Sequence, residues 1–404
     1  MRLGRGFGWL WAAYAVSAYG TGLGFGAFSF IAITALDATA AQVSMLSAGG
    51  LAVGAVLAVP LGPWVEFRRK RPVMIAMDLV RFLAIASIPV AYWLGALTFG
   101  QLVVVSVAVA AAKIAFNAAS GAFLKTVVAP GDLLVANSRF ESTTWSATIF
   151  GPTLGGAAIG LLGPVVTVVA DAASYLLSAA AVTAVGGTEQ PPPARNGRVR
   201  FGDLLEGWRY ILRHGTLRPL FLNVMAVNGL IMATEPLLTF LMLGRLGFSP
   251  WEYGLAFAVP CVGGLVGSRL APRVVARYGR RGVLLALGTL RACWPLGLVF
   301  VRPGVPGLLI VMVTELGLIL CISLFNPVLA TYRLEHTDRA CLARVLTAWS
   351  VTSGASIAAL TAAWGVLAAA TSPRTAIAAA GVALLATPLL LRRRTVTPVD
   401  TLTR

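Results

Sequence analysis

The hydrophobic positions of this chain gather into long runs that short polar or basic segments separate. A run needs about 20 apolar residues, at 1.5 Å per residue, to cross a bilayer, and there it must be helical to satisfy its own backbone. The pattern predicts twelve spans: residues 9–33, 43–65, 72–94, 98–124, 140–162, 164–186, 217–243, 250–270, 282–301, 304–330, 342–368 and 373–391. The first run is too long for the apolar core of a signal peptide, so we interpret it as the first span.

Composition supports the same fold class. Of the 404 residues, 58% are hydrophobic and 12% are charged, about half the charged share of an ordinary soluble domain. A water-soluble fold could not cover so much apolar surface. The sequence therefore predicts an all-α membrane protein.

Basic residues are concentrated in alternate loops. The formal net charge is +17, from 32 Lys and Arg against 15 Asp and Glu, and most of the cations fall at the termini and after even-numbered spans. By the positive-inside rule, this pattern predicts cytoplasmic termini for a multi-pass protein of the cell (inner) membrane. The partners that it indicates are anionic membrane lipids, and not nucleic acid.

The apolar pattern is interrupted between spans six and seven. Three prolines at positions 191–193 are followed by a segment, residues 201–213, with helical apolar spacing and interleaved cations. We interpret the segment as a helix on the cytoplasmic membrane face, with a purely linking role as the alternative. The predicted units are a six-helix bundle in residues 1–186, a linker with its amphipathic helix in 187–216, and a second bundle in 217–404.

The two halves also resemble each other. Residues 70–81, from Lys70 to Arg81, align with residues 280–291, and the pair Phe116-Asn117 recurs as residues 325–326. Such matches predict two parallel six-helix repeats around a central cavity, related by an axis along the membrane normal.

Two motifs resemble those of the major facilitator superfamily. Residues 62–71 resemble its loop motif, with Phe67 in place of the usual arginine, and the matching positions are Gly62, Glu66, Arg69, Lys70 and Arg71. Residues 151–156 resemble the antiporter motif of its exporters, through Gly151, Pro152, Gly155 and Gly156. The alternatives are an ordinary positive-inside loop and a glycine-rich packing helix. Residues 77–81, 136–138, 170–175 and 201–210 are similar to the branch with macrolide efflux proteins and the enterobactin exporter.

The resemblance implies how the motifs act. The acid and cations of the loop motif, with Asp78 and Arg81 one helical turn apart in span three, would form a conformational latch. Many relatives carry an acidic residue in span one. The corresponding residues of this chain, 19–22, contain no acid, so the role of that acidic residue cannot be transferred. We expect a monomer that exchanges a small molecule for protons.

Several ionisable or amide side chains fall inside the predicted spans, where such groups are costly and usually functional. In the superfamily fold, spans one, four, seven and ten line the cavity, which makes Glu315 and Glu235 candidates for proton coupling. Lys113 would oppose Glu315, and a structural salt bridge between these two is the alternative. The candidates for substrate contact are Lys113, Asn117, Asn228, Asn326 and Tyr19, although Asn also joins membrane helices. Asp171 is expected to be structural, and Glu141 to complement the start of its helix.

Other function classes lack their residues. The chain has no phosphate-binding loop for ATP, its two histidines have no ligand partners in the sequence, and its four cysteines show no metal spacing. We therefore expect no cofactor, no metal and no enzymatic activity. The predicted function is export of a small, amphipathic molecule, such as an antibiotic, drug, siderophore or other secondary metabolite, by proton antiport. The alternatives are a proton-coupled uptake symporter of the same fold and a non-transporting receptor, which would show no flux.

Overall fold

The computed structural model describes residues 3–24, 27–38, 53, 56, 59–186, 189 and 205–392. All regular secondary structure in these residues is helical. Most of the predicted span 43–65, the three prolines at 191–193 and the first residues of the predicted linker helix lie outside the described residues.

The first half contains seven helices among its described residues. Thr98 caps the fifth by accepting a hydrogen bond from the Gln101 backbone at 3.2 Å. Gly163, with φ of 85°, separates the sixth from the seventh, which begins at a proline. The helices are α1 Gly4–Leu23, α2 Ala27–Leu36, α3 Leu61–Glu66, α4 Lys70–Trp93, α5 Phe99–Val127, α6 Leu133–Leu162 and α7 Pro164–Ala184, with a short 3-10 turn at Pro130–Asp132.

The linker and second half supply the remaining helices. The third of them begins with a capping box, in which Ser249 and Glu252 each accept from the other's backbone N–H. It bends at Gly279, whose φ of 71° and ψ of 155° are not helical. The helices are α8 Glu206–Arg213, α9 Leu217–Thr239, α10 Pro250–Cys293, α11 Val305–Glu335, α12 Leu342–Ala370, α13 Pro373–Ala386 and α14 Pro388–Arg392.

The described residues hold nine helical segments long and apolar enough to cross a membrane. One of them, Glu252–Phe300, overlaps two predicted spans, 250–270 and 282–301, because the helix runs through the Gly279 bend. The predicted first span corresponds to α1 and α2. The α6 helix begins at Leu133 and not at the predicted residue 140, so polar residues near position 140 lie well inside a helix.

The halves meet where α6 packs against α10, and also at the end of the bundle where α3, α8 and the start of α12 lie. We call this end the linker side. A Cβ atom on Gly62 of α3 would lie 3.1 Å from Thr347 of α12, so these two helices approach closely here. Every buried residue of α12 lies between Leu342 and Val351, and its remaining residues are at least partly exposed. The contact between α12 and the first half is therefore tightest on the linker side.

Candidate functional site

A cavity of about 360 Å³ lies within the first half, between α1, α4, α5 and α6. It contains Lys113 and Asn117, two of the predicted substrate residues, and both side chains are exposed to it. We call it the charged cavity. Its lining residues are Tyr14, Ser17, Ala18, Thr21, Gly22, Arg81, Lys113, Phe116, Asn117, Thr144, Ala147 and Thr148. Hydroxyl, amide, cationic and aromatic groups thus share one wall, as a site for an amphipathic molecule requires.

Arg81 and Lys113 of this wall belong to a cluster of charges with Asp78 and Asp171. Arg81 donates a hydrogen bond to the Asp78 carboxylate, and its guanidinium stacks over Tyr175 at 4.3 Å from the ring centre. Lys113 interacts electrostatically with Arg81 and with Asp171 of α7. One carboxylate oxygen of Asp78 and one of Asp171 are buried without a hydrogen-bond partner among the described residues. The cluster contains two acids and two bases, and two of its carboxylate oxygens can accept a further hydrogen bond.

Asp78 and Arg81 form the predicted ion pair, and Arg81 also lines the charged cavity. Sequence reasoning expected a structural role for Asp171 and did not place it near Lys113. The signal that could have found it is its position in an apolar span, where an unpaired acid is costly.

The two acids proposed for proton coupling lie in the second half. Glu235 of α9 is exposed and Glu315 of α11 is half-buried, and they are close enough to interact electrostatically. Lys113 and Glu315 form no ion pair in the described part of the chain, so the structural salt bridge between halves is absent from this conformation. Instead, the electrostatic neighbours of Lys113 belong to its own half.

Asn326 has a partner that the sequence did not reveal. Its amide donates to a carboxylate oxygen of Glu141 at 3.0 Å, and the Trp145 indole donates to the same oxygen at 3.0 Å. The predicted role of Glu141 at a helix start is wrong, because α6 begins at Leu133, more than two turns earlier. Glu141 thus joins α6 of the first half to α11 of the second.

The other two candidates do not line the charged cavity. Tyr19 donates its hydroxyl proton to Ser146 of α6 at 2.8 Å, on a different face of α1. Asn228 is half-buried on α9. Their role in binding stays a prediction.

The acid of the loop motif pairs with the opposite half. Glu66 is buried and accepts two hydrogen bonds from Arg344 of α12, at 2.6 and 2.7 Å, and Arg344 also pairs with Glu206 of the linker helix. The motif cations act elsewhere. Lys70 donates to three backbone carbonyls at the end of α3, and Arg71 donates to the Val182 carbonyl of α7 at 3.1 Å. Arg69 is exposed.

The glycines of the antiporter-like segment have unequal neighbours. A Cβ atom on Gly151 would lie 2.6 Å from the Gly22 Cα of α1, and one on Gly155 would clash with the Leu23 carbonyl. Gly156 has no described neighbour within 4 Å of such an atom. Close packing of α6 on α1 therefore depends on two of these glycines. The side chain of Pro152 lies outside the described residues.

Comparisons with known proteins agree with this architecture. Residues 10–329 match the family model of the Major Facilitator Superfamily. The multidrug efflux pump Tap of Mycolicibacterium fortuitum is 29% identical over 292 residues, 68% of each chain. The uncharacterized MFS-type transporter YvqJ of Bacillus subtilis is 26% identical over 231 residues, and the match spans about half of that relative, 55% of its length and 56% of this chain.

A solved structure shows the same fold. The outward-facing state of a bacterial homologue of the iron transporter ferroportin is similar with a TM-score of 0.78 and 15% sequence identity, over 97% of this chain and 98% of that one. Members of the matched family are membrane transporters and not enzymes. The apolar helices, the helical fold and the family match over most of the sequence show that this chain belongs to the Major Facilitator Superfamily.

Proposed function

We propose that this transporter exports a small, amphipathic molecule from the cell in exchange for protons, by alternating access of a central site. The observation that carries the proposal is the distribution of charge. Two acids, Glu235 and Glu315, interact electrostatically in the second half, while Lys113 and Arg81 line a cavity in the first. Substrate and proton thus have separate candidate sites, one in each half.

The charged cavity suits the substrate. Phe116 and Tyr14 offer aromatic surface, Asn117 and Lys113 offer hydrogen bonds, and the volume of about 360 Å³ is in the range of small-molecule sites. The candidate classes are an antibiotic, a drug, a siderophore or another secondary metabolite. Similarity to a multidrug efflux pump supports export over uptake.

The paired acids suit the proton. When two carboxyl groups interact, the charge on one influences the proton occupancy of the other. A change in the distance between α9 and α11, or the approach of a cation, would therefore release or take up a proton. We assign Glu315 as the leading carrier and Glu235 as the alternate, because Glu315 is the less exposed of the two.

Alternating access requires that the linker side open. The contacts of Arg344 with Glu66 and Glu206, and that of Asn326 with Glu141, join the halves and must break in the opposite state. In this proposal residues 1–186 and 217–404 move as units joined by residues 187–216. Both termini and the linker are cytoplasmic, and the protein works as a monomer in a membrane with anionic lipids.

The test begins with a drug-sensitivity panel in a pump-deficient host, which identifies an exported compound. Inverted membrane vesicles with an imposed pH gradient, acidic inside, should then accumulate that compound, and a protonophore should abolish the accumulation. Expulsion from these vesicles would indicate a proton symporter, and accumulation that ignores the gradient would exclude proton antiport. A receptor of the same fold would bind the compound without flux.

A further inference from the structure

A second and larger cavity lies on the opposite face of α6 from the charged cavity. This lateral groove of about 630 Å³ is lined by α1, α6 and the arm of α10 that precedes Gly279, so it lies between the halves. Its residues are Trp11, Ala15, Tyr19, Val135, Ser138, Arg139, Ser142, Thr143, Ser146, Phe150, Leu265, Arg269 and Pro272. Beside it, Val262 and Val266 of α10 are exposed apolar side chains, as expected of a lipid-facing surface.

The hydroxyl groups of the groove are satisfied within the protein. Ser142 of α6 and Ser268 of α10 share a hydrogen bond of 2.7 Å across the two halves. The Trp11 indole donates to Thr143 at 2.9 Å, and Ser146 accepts from the Tyr19 hydroxyl group. These groups build the walls of the groove and have little need of a ligand.

The two guanidinium groups are the exception. Arg139 of α6 and Arg269 of α10 are both exposed in the groove, and neither forms an ion pair with a carboxylate among the described residues. The guanidinium of Arg139 lies over the Phe7 ring, 5.8 Å from the ring centre. Arginine stays charged at all physiological pH values, and its planar fork fits a phosphate. The groove thus presents two positive charges, one from each half.

The depth of the arginines fits a lipid headgroup. Arg139 lies about 9 Å along α6 from its first residue, Leu133, and Arg269 about 15 Å along α10 from the Gly279 bend, at 1.5 Å per residue. Both helix ends belong to the linker side. Long arginine side chains reach from such positions to the headgroup level of the leaflet while their stems stay in apolar surroundings.

We propose that the lateral groove binds the headgroup phosphate of an anionic phospholipid from the linker-side leaflet. Arg139 and Arg269 hold the phosphate from opposite halves, and the acyl chains lie over Phe150 and Leu265. The lipid carries the negative charge that the groove lacks, and a free anion would not use the apolar walls. Because its two ligands belong to different halves, the lipid stabilises the arrangement in which α6 and α10 lie together.

The experiment is a titration of the purified full-length transporter in detergent, with bound lipids counted by native mass spectrometry. Phosphatidylglycerol should bind more tightly than phosphatidylcholine. Arg139→Gln and Arg269→Gln should each weaken phosphatidylglycerol binding by about fivefold, as expected for one cation beside an anionic lipid, and Arg139→Lys by less. The matched control is Arg302→Gln, which removes an exposed cation of the second half between α10 and α11 and should leave binding unchanged.

Three results would overturn the assignment. Equal binding of phosphatidylglycerol by the wild-type protein and the Arg139→Gln/Arg269→Gln double variant would show that the lipid binds elsewhere. Displacement of the lipid by glycerol phosphate at an equal concentration would indicate an anion site that does not recognise acyl chains. Displacement by an exported compound at its transport concentration would make the groove a substrate pathway. The assay measures no flux, so its outcome is independent of the proposed export.

Discussion

Two buried arginines have matching surroundings in the two halves. The guanidinium of Arg81 lies 4.6 Å from the ring centre of Phe116, and that of Arg291 lies 3.8 Å from the ring centre of Phe325. The sequence repeat aligns these same residues with each other. Their hydrogen-bond partners differ. Arg81 donates to a carboxylate, whereas Arg291 donates to the amide oxygen of Asn223 at 2.7 Å. An amide can therefore hold an arginine in this environment.

This comparison predicts the outcome of changes at Asp78. Asp78→Asn should preserve folding, because an amide oxygen can accept from Arg81 as Asn223 does from Arg291. Asp78→Leu should destabilise the protein by about 3–5 kcal/mol, since it leaves a buried cation without its partner. Thermal unfolding in detergent, followed by size-exclusion fluorescence, measures both effects. An equal loss of stability in the two variants would show that the charge of Asp78 is required.

The proposed proton carriers predict a loss of coupling without a loss of binding. Glu315→Gln should abolish gradient-driven accumulation in inverted vesicles, because a neutral amide cannot exchange a proton, and Glu235→Gln should reduce it. Both variants should still bind the compound in an equilibrium assay. The control is Glu252→Gln, a partly exposed acid at the start of α10, where glutamine also serves as a capping residue. If transport survives in both carrier variants, neither acid is the carrier.

Sequence reasoning located residues better than it located their partners. From the resemblance to the superfamily fold it expected Lys113 and Asn117 at a central cavity, and in the structure both line a cavity within the first half. It missed Arg344 as the partner of Glu66, and Asn326 as that of Glu141. These pairs join opposite halves, and their distances depend on how the halves pack, which local periodicity does not encode.

At the scale of elements, the antiporter-like segment supplies its own control. Gly151→Leu should force α6 away from the backbone of α1 and destabilise the first half by about 1–3 kcal/mol, as overpacking does. Gly156→Leu lies in the same helix and adds the same side chain where no described atom is near, so it should be tolerated. Unfolding temperature and transport rate of the two variants test this difference. Similar behaviour of both would contradict the close-packing account.

Hydrophobic length predicted the elements well in the described part of the chain, because the bilayer fixes the length of a span. One boundary error was at α6, where polar residues such as Ser138 and Ser142 lowered the apolar content of the first turns. Those residues are polar because they face the opposite half or the lateral groove. A pattern based on lipid contact alone cannot identify such surfaces.

At the scale of the whole molecule, the linker side is closed by charges of unequal burial. The side chain of Glu66 is 1% exposed and that of Glu206 is 43% exposed, while Arg344 between them is 10% exposed. Removing the partner of a buried charge costs far more than removing an exposed one. The pair formed by α3 and α12 should therefore dominate closure, and the linker helix should contribute a smaller share.

The contact of Arg344 with Glu66 should control the equilibrium between the two access states. Glu66→Gln should shift it towards opening of the linker side by at least tenfold, since glutamine has no charge and keeps only one of the two oxygens that accept from Arg344 in this buried pair. Glu206→Gln should shift it by about threefold, as expected of an exposed pair. Spin labels at Arg68 and Arg281, exposed on opposite halves, would report the opening as a longer distance in a background without the four native cysteines.

The control is Arg209→Gln, which removes an exposed cation from the linker helix. Substrate affinity should change only through this population shift, because none of these residues lines the charged cavity. Unchanged distances in Glu66→Gln would show that the Arg344 contact does not control closure.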